Sequence, residues 1–547
     1  MSAQALHAPR GPFTRGPSPA EWLCLALGLA LVWRYRWIFD DAFIYFRYVD
    51  NLLFLRAGLV FNAGEYVEGF SSPLHCLLLI ALRSLRLAYP TIVNLTGLLA
   101  FALFWLLLVH TNRALARKTG EPLGPSHFNF PLAYLATNYS LTSFFTAGNE
   151  GALLHLAAAS TAYFLLHPTS RWAAIATALS PLVRPELALA LIIASLFVWI
   201  SQRRAPKLLL ISAALIHGAW LLFRVIYYAD LFPNTYYLKV GTELEGEALW
   251  NAGLRYLMDT AAPPQLGLVL VIALALGLMV AQRDARGSAW RELRCGPRGA
   301  MLLIASVLGL WAVLSGGSAM SYYYLAFPFT LTVCALGGLV ERALAPWLAP
   351  APQRIALLLT LLVSGGVFAR YPETLSAHPV TRADRMHRLP SPTVVTDPSF
   401  FRHRPALDDP WPSISDMQAF APQLASDGYA RWTDAAACNT LYRNFDVRSI
   451  HGYGLTDALL ARVAAKEIKR GHKPALAALA LDLIRVQMAA GKASRTMYSQ
   501  AIENGTAPDW LSANKKTIEI LEAKAFNRHH LWTNIRLAFT FPDEIQL

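Results

Sequence analysis

Charge is what this chain has least of. Only 15% of its 547 residues are Asp, Glu, Lys or Arg, while 55% are hydrophobic. An ordinary soluble domain carries roughly 25% charged residues, so the balance is that of a bilayer protein. Cysteine is equally sparse. Of the five, Cys24 and Cys334 lie in apolar runs, Cys76 in a short apolar stretch, Cys295 in a basic loop and Cys438 in the polar tail, so no disulfide framework follows. The fourteen histidines show no metal-ligand spacing, and the adjacent His529-His530 is not a site by itself. There is no Walker loop and no glycine-rich dinucleotide fingerprint. No bound cofactor is expected to be required, and the energy of any reaction would have to come with the substrate.

What is present is a succession of apolar runs between Trp22 and Val367, each near the about 20 residues needed to cross hydrocarbon. From Arg370 to Leu547 the composition turns polar and proline-containing, with short amphipathic segments. The expected fold class is an all-α polytopic membrane module of about eleven transmembrane helices, followed by a mixed α/β domain outside the membrane. The expected divisions are a cytoplasmic segment at 1–20, the module at 21–369 with a first outside loop at 40–91, and a soluble non-cytoplasmic domain at 370–547.

The formal charge of +13 could point to nucleic acid. The basic residues instead cluster between apolar runs, at Arg203, Arg204 and Lys207 and at Arg283, Arg286, Arg291, Arg294 and Arg298, as cytoplasmic loops do under the positive-inside rule. No groove-reading motif accompanies them, so nucleic acid is not an expected partner. The first helix is expected from Glu21 to Phe39, with the N-terminus inside, and no small-residue cleavage site follows it. Pro73 to Leu87 is short and contains Arg83 and Arg86, so it is expected to lie in the interface. The remaining spans are expected at Ile92 to His110, Phe130 to Thr146, Ala152 to Leu166, Ala173 to Val183, Leu187 to Ile200, Leu208 to Tyr227, Leu266 to Val280, Met301 to Leu314, Tyr322 to Val340 and Ile355 to Phe368. This odd count puts the tail outside.

The first outside loop begins Asp40-Asp41-Ala42-Phe43-Ile44-Tyr45-Phe46-Arg47-Tyr48. Two adjacent carboxylates open a helix whose spacing puts Arg47, Asp50 and Asn51 on one face. The pair is equally suited to capping that helix and complementing its dipole. Further along, Val67-Glu68-Gly69-Phe70-Ser71-Ser72-Pro73, Gly148-Asn149-Glu150, Arg184-Pro185-Glu186, Pro233-Asn234-Thr235-Tyr236-Tyr237-Leu238-Lys239 and Ser315-Gly316-Gly317 all fall in expected outside loops. Polar residues gathered at one membrane face suggest a shared site, although loops are polar by default.

This set resembles bacterial GT-C fold glycosyltransferases of the terminal arabinofuranosyltransferase type, the group similar to enzymes that build mycobacterial cell-wall arabinan. In the tail, Gly454-Leu455-Thr456-Asp457 and Arg470-Gly471-His472-Lys473 look like segments of the same group. The resemblance implies an inverting transfer of a sugar, such as the pentofuranose arabinofuranose, from a polyprenyl-phosphate donor to an envelope glycan or glycoprotein. It implies a bacterial plasma membrane protein with its site on the periplasmic or extracellular side. The leaving phosphate needs cations, for which Lys239, Arg184 and Arg47 are the candidates. The acceptor hydroxyl needs a carboxylate base, Asp40 or Asp41, and a divalent cation at that pair is compatible with the scheme. Glu68, Glu150, Glu186, Asn234, Tyr236, Tyr237 and His472 are the candidate substrate contacts. Lys239 and Arg47 are also suited to snorkelling at the interface, and Arg184 and Glu186 to pairing at a helix end.

The sequence departs from the group in places. Ser318 stands where the group often has an acid, the run Tyr322-Tyr323-Tyr324 precedes Pro328 where an Arg is usual, and Gly151 follows Asn149-Glu150 in place of a threonine. The tail is expected to hold a strand at Pro392 to Thr396 and helices at Leu455 to Ile468 and Pro474 to Ala489. Two other classes fit polar residues in a membrane protein: a transporter or flippase for a lipid-linked sugar, and a non-catalytic envelope or motility-organelle assembly factor. No internal repeat favours the transporter.

Overall fold

The structure is a computed structural model describing residues 16–34, 36, 38, 40–118, 129–137, 141–142, 144–240, 246–260, 275–276, 292–317, 323–344, 429–432, 448–451, 454–464, 475–491, 495–526 and 531–546. Most of them are helical. In the membrane module the helices are α1 (Pro19–Arg34), α2 (Asp40–Leu53), α3 (Pro73–Arg83), α4 (Tyr89–Lys118), α5 (Phe130–Thr137), α6 (Gly151–Leu166), α7 (Arg171–Val183), α8 (Leu187–Gln202), α9 (Lys207–Tyr228), α10 (Asn234–Val240), α11 (Gly246–Thr260), α12 (Pro297–Leu314) and α13 (Ala326–Leu344). Three of them, α4, α9 and α12, are long and apolar enough to cross a membrane. Helices α1, α6 and α8 are apolar but shorter, as is the apolar stretch Ala326–Val340 of α13.

Local chemistry explains where several begin. Ser18 and Glu21 form a reciprocal capping box, with the Ser18 amide donating to the Glu21 carboxylate at 2.8 Å and the Glu21 amide donating to Ser18 Oγ at 3.3 Å. The same carboxylate pairs with Arg113 at 2.5 Å, tying the start of α1 to the end of α4. Ser72 caps α3 and Pro73 opens it. At 11 residues, or about 17 Å, α3 is too short to cross hydrocarbon.

Helix α6 is the hub of the module and packs against α4, α7, α8, α12 and α13. Its buried Ala157, Ala158, Ala159 and Ala162 let neighbouring backbones approach, the usual device where helices meet without a hydrophobic driving force. Within the expected span Phe130 to Thr146, the described residues are helical at Phe130–Thr137 and at 141–142, and Phe144–Thr146 form a 3-10 turn. That turn sits against Gly97 of α4, where an added Cβ would come within 2.5 Å of the Phe145 carbonyl oxygen. The span expected from Tyr322 begins as helix at Ala326.

The described tail holds a two-stranded parallel sheet, β1 (Tyr429–Trp432) and β2 (Arg448–His451), and helices α14 (Ala475–Ala490), α15 (Met497–Glu503), α16 (Asp509–Ala513), α17 (Lys515–Phe526) and α18 (Leu531–Ala538). Helix α14 matches the periodicity of Pro474 to Ala489. The helix expected from Leu455 is corrected, because residues 454–464 form turns, a 3-10 helix at Leu460–Arg462 and a bridge from Val463 to Ile545. The Asp457 carboxylate accepts from the amides of Leu459 and Leu460 at 2.9 and 2.8 Å, and Asn234 takes the carbonyls of Gly454, Leu455 and Asp457. Side chains thus capture the backbone groups a helix would have paired. The spans at Ile355 to Phe368 and, apart from Ala275 and Leu276, Leu266 to Val280 lie outside the described residues. So do the strand at Pro392 to Thr396 and the segment holding His472.

The tail shares a core with the module. Val67 and Leu238 are buried with Ile450, Leu460, Leu483, Ile518 and Leu521 of the tail. The Tyr66 amide donates to the Ala525 carbonyl at 2.6 Å. Asn62 and Ser449 exchange hydrogen bonds at 2.9 and 3.0 Å.

Candidate functional site

The polar loop residues divide into two groups. The first surrounds Glu150. Helix α7 ends at Arg184, which is extended at φ −154° and ψ 135° because Pro185 disfavours a helical residue before it. Arg184 therefore stands at a sharp corner between α7 and α8. Its Nε is bonded to Glu186, and its Nη1 lies 3.3 Å from Glu150 Oε1. The guanidinium lies over the rings of Tyr324 and Tyr323, 4.6 and 4.9 Å from their centroids.

Glu150 is buried and collects donors from four segments. Tyr45 donates to Oε2 at 3.3 Å, Ser71 to Oε1 at 3.5 Å, and Arg184 and Tyr323 to Oε1. The Tyr45 hydroxyl also accepts from the Ser72 amide at 3.1 Å. Gly148 makes this turn with a φ of +75°, and a Cβ there would come within 2.9 Å of the Ala42 Cβ. The Gly148-Asn149-Glu150 turn is thus pressed onto the N-terminus of α2, where the His75 ring also meets the Gly148 carbonyl at 2.9 Å. Burial lowers the His75 pKa, keeping its imidazole neutral.

Asp41 is half-buried and precedes Tyr45 by four residues, so the two share a face of α2. Asp40 is the first residue of that helix, and its side chain lies outside the described residues. The structure therefore brings Glu150, Arg184 and Glu186 to one place with Tyr45, Ser71, Tyr323 and Tyr324, and Asp41 lies one turn before Tyr45 on α2. Counting formal charges, Arg184 is met by two carboxylates, Glu150 and Glu186. Lys239, half-buried in the last turn of α10, has no ion pair among the described residues.

The second group joins the module to the tail. Glu68 is buried and held by Arg224 through both Nε and Nη2, the latter at 3.0 Å. Burial raises the Glu68 pKa and Arg224 opposes the rise. Asn234 reaches three tail carbonyls at 2.9 to 3.1 Å, accepts from Arg462 at 3.3 Å, and donates its amide to the Glu68 carbonyl at 2.9 Å. Tyr237 donates to Asp230 at 2.5 Å and lies under the Arg462 guanidinium, 3.7 Å from its ring centroid. Asp230 also pairs with Arg462 at 2.7 Å and Lys524 at 3.7 Å. Tyr236 is exposed and stacks on Phe232.

Arg47 stands apart from both groups. It is buried, donates from Nε to the Phe61 carbonyl at 2.7 Å, and lies over the Phe61 ring. Asn51 of the same face reaches the same carbonyl at 2.9 Å, so this face of α2 fixes the loop at 59–62. Asp50 turns instead to Arg83 and Tyr89, at 3.0 and 2.7 Å.

Sequence reasoning missed Arg224, Arg462 and Lys524 and gave Tyr45, Ser71 and Tyr323 no role. For Arg224 the signal was available: it is an ionisable residue within an apolar run, which marks a buried partner or a site. For the others, nothing local distinguished them. Among the described residues no group of three His, Cys, Asp or Glu side chains could hold a metal ion.

No protein-family model matches the chain, and no solved structure matches it significantly. Two curated proteins do. A terminal β-(1→2)-arabinofuranosyltransferase of Corynebacterium glutamicum is 27% identical over 331 residues, 54% of this chain and 47% of that protein. The enzyme of the same name from Mycobacterium tuberculosis is 29% identical over 291 residues, 48% of this chain and 43% of that protein. The chain spans about half the length of the curated relatives it matches. Over about half its own length, then, the chain is similar to terminal β-(1→2)-arabinofuranosyltransferases.

Proposed function

We propose that the protein is an inverting membrane glycosyltransferase of the GT-C type. It moves a pentofuranose such as arabinofuranose from a polyprenyl-phosphate donor to an envelope glycan or glycoprotein. The relatives support the glycosyltransferase class. The observation that carries the site is the convergence of the α2 N-terminus, Glu150, Arg184 and Tyr323 at one helix corner.

In this scheme Asp40 takes the proton of the acceptor hydroxyl, with Asp41 orienting the acceptor. The hydroxyl oxygen attacks the anomeric carbon from the face opposite the phosphate. The bond from that carbon to the phosphate oxygen breaks, and the phosphate leaves with the electron pair. Lys239 meets the developing charge, and Arg184, held by Glu150 and Glu186, lines the path. Glu68, Asn234 and Tyr237 hold the tail over the outside loops, Arg47 fixes the loop beneath α2, and Tyr236 offers an exposed ring to a sugar. His472 remains a candidate acceptor contact. No cofactor enters the scheme. A divalent cation at the Asp pair is compatible with it and would ease the crowding of carboxylates.

The topology that goes with this function has about eleven spans, residues 1–20 inside, and the site and residues 370–547 on the periplasmic or extracellular side of a bacterial plasma membrane. The test is transfer by purified protein in lipid, fed a polyprenyl-phosphate pentose. Asp40→Asn and Asp41→Asn should keep donor binding, while the base variant loses turnover by roughly 10² to 10⁴. Near wild-type transfer by both variants would return the pair to a helix cap. A wild-type protein inert toward such donors would remove the transferase assignment.

A further inference from the structure

The last helix of the tail leaves large aromatic side chains outside the protein. Helix α18 buries Asn534, Leu537 and Ala538, while Leu531 and Trp532 are 45% and 78% exposed. Phe539 and Phe541, just beyond its end, are 62% and 61% exposed. The Phe539 amide still bonds the Ile535 carbonyl, so Trp532, Ile535 and Phe539 follow one helical stripe and Asn534, Leu537 and Ala538 another. One stripe faces the protein and the other faces away from it. Four large apolar side chains within so short a segment form a patch rather than the scatter normal on a solvated face.

The place of this patch identifies what covers it. Helix α18 packs against α9, and Asn534 Nδ2 donates to the Ile226 carbonyl at 2.6 Å. That carbonyl is one of the last four of α9, which no helical amide can reach. Helix α9 is long and apolar enough to cross a membrane, and only 22% of its apolar window is buried inside the protein. Leu221, Leu222 and Ile226 remain exposed toward its C-terminal end. The patch on α18 therefore begins where the exposed apolar flank of α9 ends. Among the described residues its charged neighbours in sequence are the exposed Arg536, Asp543 and Glu544, which form no cationic cluster. Aromatic side chains at the end of a lipid-facing helix, without clustered cations, suit the headgroup boundary of a bilayer rather than an anionic partner.

We propose that residues 531–541 are a membrane-surface anchor. Trp532 and Phe539 insert at the boundary of headgroups and acyl chains, on the leaflet where α9 ends, and hold the tail at the membrane surface above the outside loops. The anchor needs α9 to lie in the bilayer but does not depend on the transferase assignment, so the two can fail separately.

The experiment uses the full chain in lipid nanodiscs, with Cys295 and Cys438 replaced by serine. Trp532→Cys carries an environment-sensitive dye, and Arg485→Cys on α14, whose side chain is 76% exposed, is the control. Lipids spin-labelled near the headgroup should quench the dye at 532 several-fold more than at 485, and raised salt should leave the difference in place. Equal quenching at the two positions overturns the anchor. So does cross-linking between two copies through position 532 in place of quenching, which would make the patch a dimer surface. The Trp532→Asp, Phe539→Asp double variant, read from a dye at Phe541→Cys, should keep its helix content and lose most of the quenching. Quenching retained in that variant overturns the proposal as well.

Discussion

Replacing Glu150 with Gln separates a site from a scaffold. Tyr323, Arg184 and Ser71 converge on Oε1 of this buried carboxylate, and Tyr45 on Oε2. An amide keeps one acceptor oxygen and turns the other position into a donor. The oxygen can stay with Arg184 and Tyr323, leaving the NH₂ to face the Tyr45 hydroxyl, which already accepts from the Ser72 amide. What is lost is charge assistance to Arg184. Hydrogen bonds to charged groups contribute about 1.5–3 kcal/mol and neutral ones about 0.5–1.5, so the posture of Arg184 loses about 1–2 kcal/mol. At about 1.4 kcal/mol per tenfold, transfer should fall roughly five- to thirty-fold, with a modest drop in melting temperature. Glu150→Ala deprives the hydroxyls of Tyr45, Ser71 and Tyr323 of this acceptor and leaves Arg184 with Glu186 alone, and should cost about 3–5 kcal/mol, seen as loss of the folded protein. The assay is transfer per folded molecule in lipid, beside thermal unfolding. Wild-type transfer and melting in the Gln variant would refute the reasoning outright, while lower melting with unchanged transfer would reduce Arg184 to a structural pair.

Three further outcomes follow from the geometry. Asn234→Ala removes the donor shared by three tail carbonyls and should cost about 1–3 kcal/mol of tail docking, so amide exchange in 454–460 should quicken by about tenfold or more; unchanged exchange would show the clasp is idle. Burial raises the Glu65 pKa to about 7, with Arg448 at 3.7 Å opposing the rise. Because the folded pKa lies above the unfolded one, the docked state binds the extra proton: docking of 448–451 is strongest below the ordinary carboxylate range and weakens as pH rises through about 7. Glu65→Gln should flatten that profile in hydrogen exchange, and docking that strengthens with pH would contradict the sign. For topology, a cysteine placed near Gly124 should be shielded from impermeant thiol reagents in intact cells and one near Gly246 labelled, and the reverse pattern would put the α2 acids inside.

By itself the sequence determined the class of the molecule and most of its helices. Apolar length and 3.6-residue spacing are local properties, so α6, α7, α8, α9 and α12 lie close to where their apolar runs place them, and the Arg47–Asn51 face of α2 was legible for the same reason. Local signals also misled. The helical spacing after Leu455 gave way to turns because Asp457 and Asn234 captured the backbone groups a helix needed. Only the tertiary structure decided which polar residues of the loops and helix ends meet. Glu68 pairs with Arg224 156 residues away, Tyr45 reaches Glu150 across 105, and Asn234 clasps carbonyls more than 200 residues further on. No spacing rule encodes such pairs. Each buried charge must find a partner wherever the packed helices bring one within reach, and that is a property of the packing rather than of any one segment.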